Sequence, residues 1–297
     1  MLTPSATARP PAPNTLTPWL AWLRRLLAWQ VAVTRATYGA LADDPHRGIY
    51  IPDAEADLLG ADEEPLPAEL LAARADLADE RERLAAAPEG DRLAWLSARF
   101  GLSPFEQDVV LLALAPALDL RFERLYAYIQ DDVTRKRPTI DLAMRLFCRS
   151  AAERIAAYGV FAAESPLRRR RLVQLHDDGL RDPDMIAHSL KLEPRVVAAL
   201  LGHDALDGAI APFARLGRPA RAAADLELPD GLVARLRRAL DAPGLAPLIV
   251  LEGAYGSGRR ALAEALCAER GLPLLAVDGE ALRASELPPA EAIGRVM

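Results

Sequence analysis

Between Gly253 and Arg260 the chain reads Gly-Ala-Tyr-Gly-Ser-Gly-Arg-Arg, with an apolar run before it and a helical pattern after it. Gly253, Gly256 and Gly258, with Ser257 among them, let a backbone approach an anion closely. Successive N–H groups at a helix N-terminus then form a phosphate cradle. The spacing G-x-x-x-x-G is that of a phosphate-binding loop, whose next two residues are ordinarily Lys and then Ser or Thr. Here both are arginines. Arg259 keeps the positive charge as a wide planar fork, whereas Arg260 offers only donors and has no lone pair for Mg²⁺. The expected chemistry is anion binding with hydrolysis slow or absent, because metal positioning and part of the transition-state stabilisation are missing. The 39 residues after Gly258 hold no apolar run ending in Asp or Asp-Glu to place Mg²⁺ and water, and the chain stops at Met297 inside a helical pattern. That combination reads as a truncated sequence with no catalytic residue of its own.

A second candidate group is basic. Between Asp132 and Arg171 ten Arg or Lys stand against four Asp or Glu, a local +6 in a chain of net −6. Arg135, Lys136, Arg137, Arg145 and Arg149 lie on or near a candidate recognition helix. Arg168, Arg169, Arg170 and Arg171 precede a candidate wing, so this face could meet nucleic acid or a protein partner. Adjacent arginines are also an ordinary solvated run, and the negative whole-chain charge argues against a general polyanion binder. His46, His176, His188 and His203 show no metal-ligand spacing, so no metal site is expected from them. Asp177, Asp178, Asp182 and Asp184 surround a turn, where Asp is favoured for local hydrogen bonds, and are assigned no function. Cys148 and Cys267 stand in apolar helical contexts, which fits a reducing compartment better than a disulfide framework.

The elements that must position these groups are mostly helices. Hydrophobic residues make up 51% of the chain but aromatics only 5%, and the Leu and Ala excess favours helix over sheet. Five prolines in the first 18 residues suggest a disordered tail. From Trp19 to Val33 the apolar positions recur at helical spacing. Three tryptophans on that helix suit either a packed helix or a membrane-surface anchor, packing being the commoner use. "PLPAELLAARADLADERERLAAAPEG" reads as a charged, solvent-washed helix completing a helical region over 19–90. Then come "DRLAWLSARFG" with its Gly101 stop, "SPFEQDVVLLALAP" with Ser103 as N-cap and Pro104 at the first helical position, "DLRFERLYAYIQDD" capped by Asp119, and "PTIDLAMRLFCRS" with Pro138 near its start. "RLVQLHDDG" alternates like a strand, and "DMIAHSLKL" can pair with it across a turn containing Gly179 and Pro183. "PRVVAALLG" adds a closing helix. Helices followed by a two-stranded wing form the winged-helix pattern, placed over 91–205.

Residues 206–246 read as a linker and the helix "PDGLVARLRRAL". "PLIVLE", "RRALAEALCAERG" and "LPLLAVD" then read as strand, helix and strand around the glycine loop, the first part of an α/β P-loop core over 247–297. The expected fold class is mostly α: a helical N-terminal region and a winged-helix-like domain before that core. The best apolar run, Val109 to Leu118, is ten residues, against about 17 to 25 for a bilayer span. With no signal-peptide pattern either, a cytoplasmic protein is expected.

"GAYGSGRRALAEALCAERGLPLLAVDGEAL" resembles the first half of an AAA+ ATPase core, with Ser257, Arg259 and Arg260 where the usual Gly-Thr-Gly-Lys-Thr has Thr, Lys and Thr. "LSARFGLSPFEQDVVLLALAPALDLRFERLYAYIQDDVTRKRPTIDLAMRLF", with "HSLKLEPRVVAALLG", is similar to the N-terminal winged-helix region of large bacterial AAA-family ATPases. Some of these accompany extracellular contractile injection systems. The resemblance runs from Asp91 to Met297. It implies ATP or ADP at the loop, Mg²⁺ only in a full-length protein, an intact ATP-hydrolysing module further along, protein partners, and a homo-oligomeric ring, typically hexameric. Two other readings stay open: a winged-helix nucleic-acid-binding protein, and a protein-interaction scaffold with no nucleotide.

Overall fold

Long side chains with little β-branching lose few rotamers in a helix, and helices dominate the computed structural model, which describes residues 16–43, 50–61, 65–86, 91–179, 182–203, 205–229, 231–242 and 247–296. Two units divide at Asp204.

In the first unit, α1 (Leu16–Tyr38) buries Leu16, Trp19, Trp22, Leu23, Leu26 and Leu27, the i, i+3, i+4, i+7 stripe of a helix facing a core. The Trp22 indole donates to the Leu77 carbonyl at 2.9 Å and that of Trp29 to the Leu70 carbonyl at 2.8 Å. The tryptophans are therefore interior anchors and not a membrane-surface stripe. Leu16 to Pro18 belong to this helix rather than to a disordered tail; residues 1–15 lie outside the described residues.

A 3-10 turn (Gly39–Asp43) and the short α2 (Asp53–Gly60) lead to α3 (Ala68–Ala85). Far from being washed by solvent all round, α3 lies along α1 and buries Leu77. Its Arg81 turns inward to grip Asp108, and its Arg74 donates to the Leu146 carbonyl at 2.8 Å. The charge pattern concealed an inward face because long guanidinium stems cover apolar surface while their heads find polar partners.

Next, α4 (Arg92–Phe100) starts at the Asp91 cap and stops at Gly101, whose φ of 66° is the left-handed C-terminal cap that glycine favours. α5 (Pro104–Leu118) opens with a reciprocal capping box between Ser103 and Glu106. It is buried on every side from Glu106 to Ala115, as the central helix of a core must be. Around it pack α6 (Arg121–Ile129), whose Tyr126 hydroxyl donates to the Leu112 carbonyl at 2.8 Å, and α7 (Ile140–Phe147). α8 (Ala151–Tyr158) and α9 (Pro166–Arg169) precede β1 (Val173–His176) and β2 (Ser189–Leu192), and α10 (Pro194–Leu200) closes the unit.

β1 and β2 pair antiparallel, with Val173 opposite Leu192 and His176 opposite Ser189. On the other side of β2, Thr139 bridges to Ser189 and the Pro138 carbonyl accepts from Leu190 N–H at 2.8 Å. Pro138 is thus a sheet-edge residue outside α7, which starts at Ile140 beneath the Thr139 cap. Only Ser189–Leu192 of the expected second strand is extended, while Met185–Ala187 coils into a 3-10 turn. One apolar core runs from Leu16 of α1 to Leu200 of α10.

In the second unit, β3 (Ala214–Gly217) pairs antiparallel with β4 (Leu274–Val277). α11 (Leu232–Leu240), α12 (Arg259–Glu269), α13 (Gly279–Arg283) and α14 (Pro289–Val296) complete it. The expected helix after the loop and the strand "LPLLAVD" form. The strand expected at "PLIVLE" does not: residues 247–254 hold no ladder bond, and Leu248 and Val250 are 93% and 71% exposed. Ile249 and Leu251 pack instead against the cluster of Leu236, Leu262 and Leu266, and β4 takes its partner, β3, from the expected linker. Among the described residues, no helix is long and apolar enough to cross a membrane.

Candidate interaction face and glycine loop

A helix-turn-helix places its second helix against a target. Here α7 is the first helix, set by Thr139, whose hydroxyl accepts from Leu142 N–H at 3.2 Å. α8 follows after a three-residue turn, capped by Ser150, and is the second helix in chain order, the place a recognition helix takes in that motif. Its composition, Ala-Ala-Glu-Arg-Ile-Ala-Ala-Tyr, is unusual for that duty. Ile155 is 77% exposed, Tyr158 is 47% exposed, and only Ala157 is buried. No reading of the sequence singled out these two residues, because one isoleucine and one tyrosine among alanines carry no periodic signal.

The basic residues named from the sequence occupy several places. Gln130 organises the segment before α7: its amide nitrogen donates to the carbonyls of Arg135 and Arg137 at 3.2 and 2.9 Å, and its oxygen accepts from the Thr139 hydroxyl at 2.7 Å. Arg135 pairs with Asp132, and Arg137 reaches Asp178 of the wing at 3.4 Å; Lys136 between them is exposed. Arg145 pairs with Asp141 at 2.6 Å, and Arg154 joins the same carboxylate at 3.0 Å. Arg149 is exposed at the start of the turn into α8, and Arg168 donates to the Phe161 carbonyl at 3.2 Å. Arg169, Arg170 and Arg171 are exposed.

The wing itself is acidic. Asp177, Asp178, Asp182 and Asp184 project from residues 177–184, with Asp178 and Asp182 at φ of 48° and 52°, a conformation that Asp tolerates through local hydrogen bonds. Among the described residues, no group of His, Cys, Asp and Glu is arranged to hold a metal ion. Cys148 and Cys267 are free thiols, and burial pushes the Cys148 thiol above its usual range.

The glycine loop lies in the second unit. Ser257 N–H donates to the Ala254 carbonyl at 3.1 Å, and Gly256 and Gly258 sit at φ of 86° and 78°. A Cβ on Gly253 would come within 2.6 Å of Ser257 Oγ and 3.2 Å of its Cβ, so a side chain there would push the Ser257 hydroxyl aside. Gly258 caps α12, and Arg259 and Arg260 are its first two residues. Arg260 pairs with Glu264 at 3.0 Å, one turn along the helix, while the Arg259 side chain has no ion pair among the described residues. The loop is open to solvent, with Tyr255 fully exposed.

A family model described as "Winged helix domain, variant" matches residues 16–214, about two thirds of the chain. The match takes in every element from α1 to α10 and ends at Ala214, the first residue of β3. Neither the curated proteins nor the solved structures yield a match.

Proposed function

Because the chain belongs to the winged helix domain variant family, we propose that this domain is an adaptor that contacts protein rather than nucleic acid. One observation carries the reading: α8, second helix of the pair, presents Ile155 and Tyr158 to solvent among alanines, and the wing carries four exposed aspartates. A phosphate backbone is held by freely available Lys and Arg. Here Arg137, Arg145 and Arg154 are each drawn to an aspartate, so the exposed cations left between Asp132 and Arg171 are Lys136, Arg149 and Arg169 to Arg171, none of them on α8. Exposed apolar groups ringed by polar ones instead suit a protein surface.

The test uses the full chain. A photo-crosslinking amino acid at Ile155 should give protein adducts in cells and no nucleic-acid adduct. A labelled 20-base-pair duplex should show no association tighter than the roughly 10⁻⁴ to 10⁻⁶ M of non-specific binding at physiological salt. Nucleic-acid adducts at position 155, or sub-micromolar salt-dependent duplex binding, would sink the reading.

A second reading concerns residues 247–297, where the glycine cradle favours a nucleotide-fold module of AAA type. The N–H groups of Gly256, Gly258, Arg259 and Arg260, with the Arg259 side chain, would hold the phosphates of ATP or ADP, and the absence of a Cβ at Gly253 suits such a cradle. Mg²⁺ does not fit: Arg260 stands where a hydroxyl ligand would, and its fork is engaged with Glu264. The module would therefore bind without hydrolysing, and ATP turnover, together with any ring assembly, would belong to a longer protein. Calorimetry should find ADP binding that is indifferent to Mg²⁺. Mg²⁺-dependent hydrolysis lost on Arg259→Ala would contradict it, as would no nucleotide binding at all.

A further inference from the structure

We propose that a groove between α1 and α6, lined by no residue of α8, docks an acidic, amphipathic segment of a partner protein. The cleft measures about 440 Å³, within the range of ligand-binding clefts, roughly 300 to 1,000 Å³. Four arginines border it. Arg24 and Arg35 lie on α1, three helical turns or roughly 16 Å apart, and Arg121 and Arg124 lie one turn apart on α6.

One acid answers them. Asp119 accepts from Arg121 at both its backbone N–H (2.9 Å) and its guanidinium (2.8 Å). These bonds, with Arg24 nearby, hold the Asp119 carboxyl below the usual carboxylate range. Arg35 and Arg124 have neither a hydrogen bond nor an ion pair among the described residues. The groove is thus locally about +3 in a chain of net −6, a concentration of free guanidinium that selects carboxylate or phosphate.

The floor decides between those two. Val31, Leu125 and Tyr128 line it, each half-buried, over the buried Phe122. Arginine heads around an apolar floor match a segment whose carboxylates flank a large apolar side chain, since the insert removes that floor from water. A nucleic-acid strand would also have to continue past the groove. Along α6 it runs into a second cleft of about 380 Å³, shared at Arg124 and walled by Asp131, Asp132 and Val133. Beyond Arg124 that cleft is lined by no cation for a phosphate chain to follow, whereas a peptide can change its own charge from one residue to the next.

The test is selection of a displayed library of random 12-residue peptides on the 297-residue chain. It is run in parallel on the Arg35→Glu, Arg124→Glu double variant. Neither arginine has a structural partner among the described residues, so the variant should keep the wild-type unfolding midpoint, which is measured first. Enriched peptides should carry several Asp or Glu around at least one large apolar residue. They should bind the variant at least tenfold more weakly, and weaken in high salt. Replacing the acids of the best peptide by Asn and Gln should abolish binding. Enrichment of uncharged peptides, no enrichment, or equal binding to the double variant would overturn the proposal. So would a 20-nucleotide DNA strand that displaces the peptide at lower concentration than the unlabelled peptide does, which would mark the groove as a nucleic-acid site.

Discussion

Arg81 of α3 and Asp108 of α5 meet in a two-pronged ion pair, with Nε at 3.0 Å and Nη2 at 3.1 Å from the two carboxylate oxygens. The same guanidinium donates to the Pro104 carbonyl at 2.9 Å and lies over the Trp19 ring at 5.9 Å. It thereby ties α1, α3 and the start of α5 into one node. Asp108 is buried, and burial pushes its carboxyl up to about 6, against the pull of Arg81.

That shift has a sign that can be checked. A carboxyl raised from 3.8 to about 6 on folding holds more protons in the folded than in the unfolded chain between those values. Its contribution to stability is complete below about pH 4 and is lost as pH rises through 6. The stability difference between wild type and Asp108→Asn should move by about 2 kcal/mol against wild type from pH 4 to pH 7. Urea denaturation at four pH values measures it; a difference that is flat with pH would contradict the assignment.

Removing the partner is the harsher change. Arg81→Ala leaves a buried carboxylate unpaired and should cost about 3 to 5 kcal/mol at neutral pH. The loss should shrink near pH 4, where the carboxyl can take a proton. An equal loss at both values would mean that the guanidinium acts by packing alone.

Trp22 is fully buried, stacks near Phe147 and donates to the Leu77 carbonyl. Trp22→Ala should destabilise the first unit by about 3 to 5 kcal/mol. The midpoint of denaturant unfolding followed by far-ultraviolet circular dichroism is the readout. A loss within about 0.5 kcal/mol, the range of ordinary surface changes, would place the indole on the surface.

If the aspartates withhold arginines from phosphate, then Asp141→Asn combined with Asp178→Asn should free Arg137, Arg145 and Arg154. These pairs are partly exposed, so stability should change by less than about 1 kcal/mol. Duplex DNA binding at low salt should nonetheless tighten several-fold by anisotropy. Unchanged affinity would show that these arginines do not face a common surface.

In the glycine loop, Gly256→Ala and Gly258→Ala each force a Cβ into the left-handed region, at a cost of about 1 to 2 kcal/mol. Limited proteolysis should quicken within residues 205–297 and leave the first unit's cleavage pattern as it was. Equal rates in wild type and variants would mean that the loop does not hold these φ values in solution.

Much of the architecture was legible in the order of residues because its signals are local. Ser103 and Glu106 announce the start of α5, Gly101 the end of α4, and the spacing from Trp19 to Leu27 a buried helix face. The turn around Gly179, with alternating residues on either side, announces the wing. Each depends on neighbours within a few positions, which the chain carries wherever it folds. Long-range partners were not legible. That Arg81 turns inward depends on Asp108, 27 residues away, and that β4 takes β3 as its partner depends on a segment some 60 residues before it. The same holds for the basic face: the count of ten positive residues is a property of the sequence, but which of them meet an aspartate is decided by packing. So too the groove of Arg24, Arg35, Arg121 and Arg124 joins residues up to a hundred positions apart. The sequence by itself determined a helical, winged chain with an anion-shaped glycine loop. Only the tertiary structure decided which charges stay free, because an ion pair forms where the fold brings opposite charges within about 4 Å, whatever their separation along the chain.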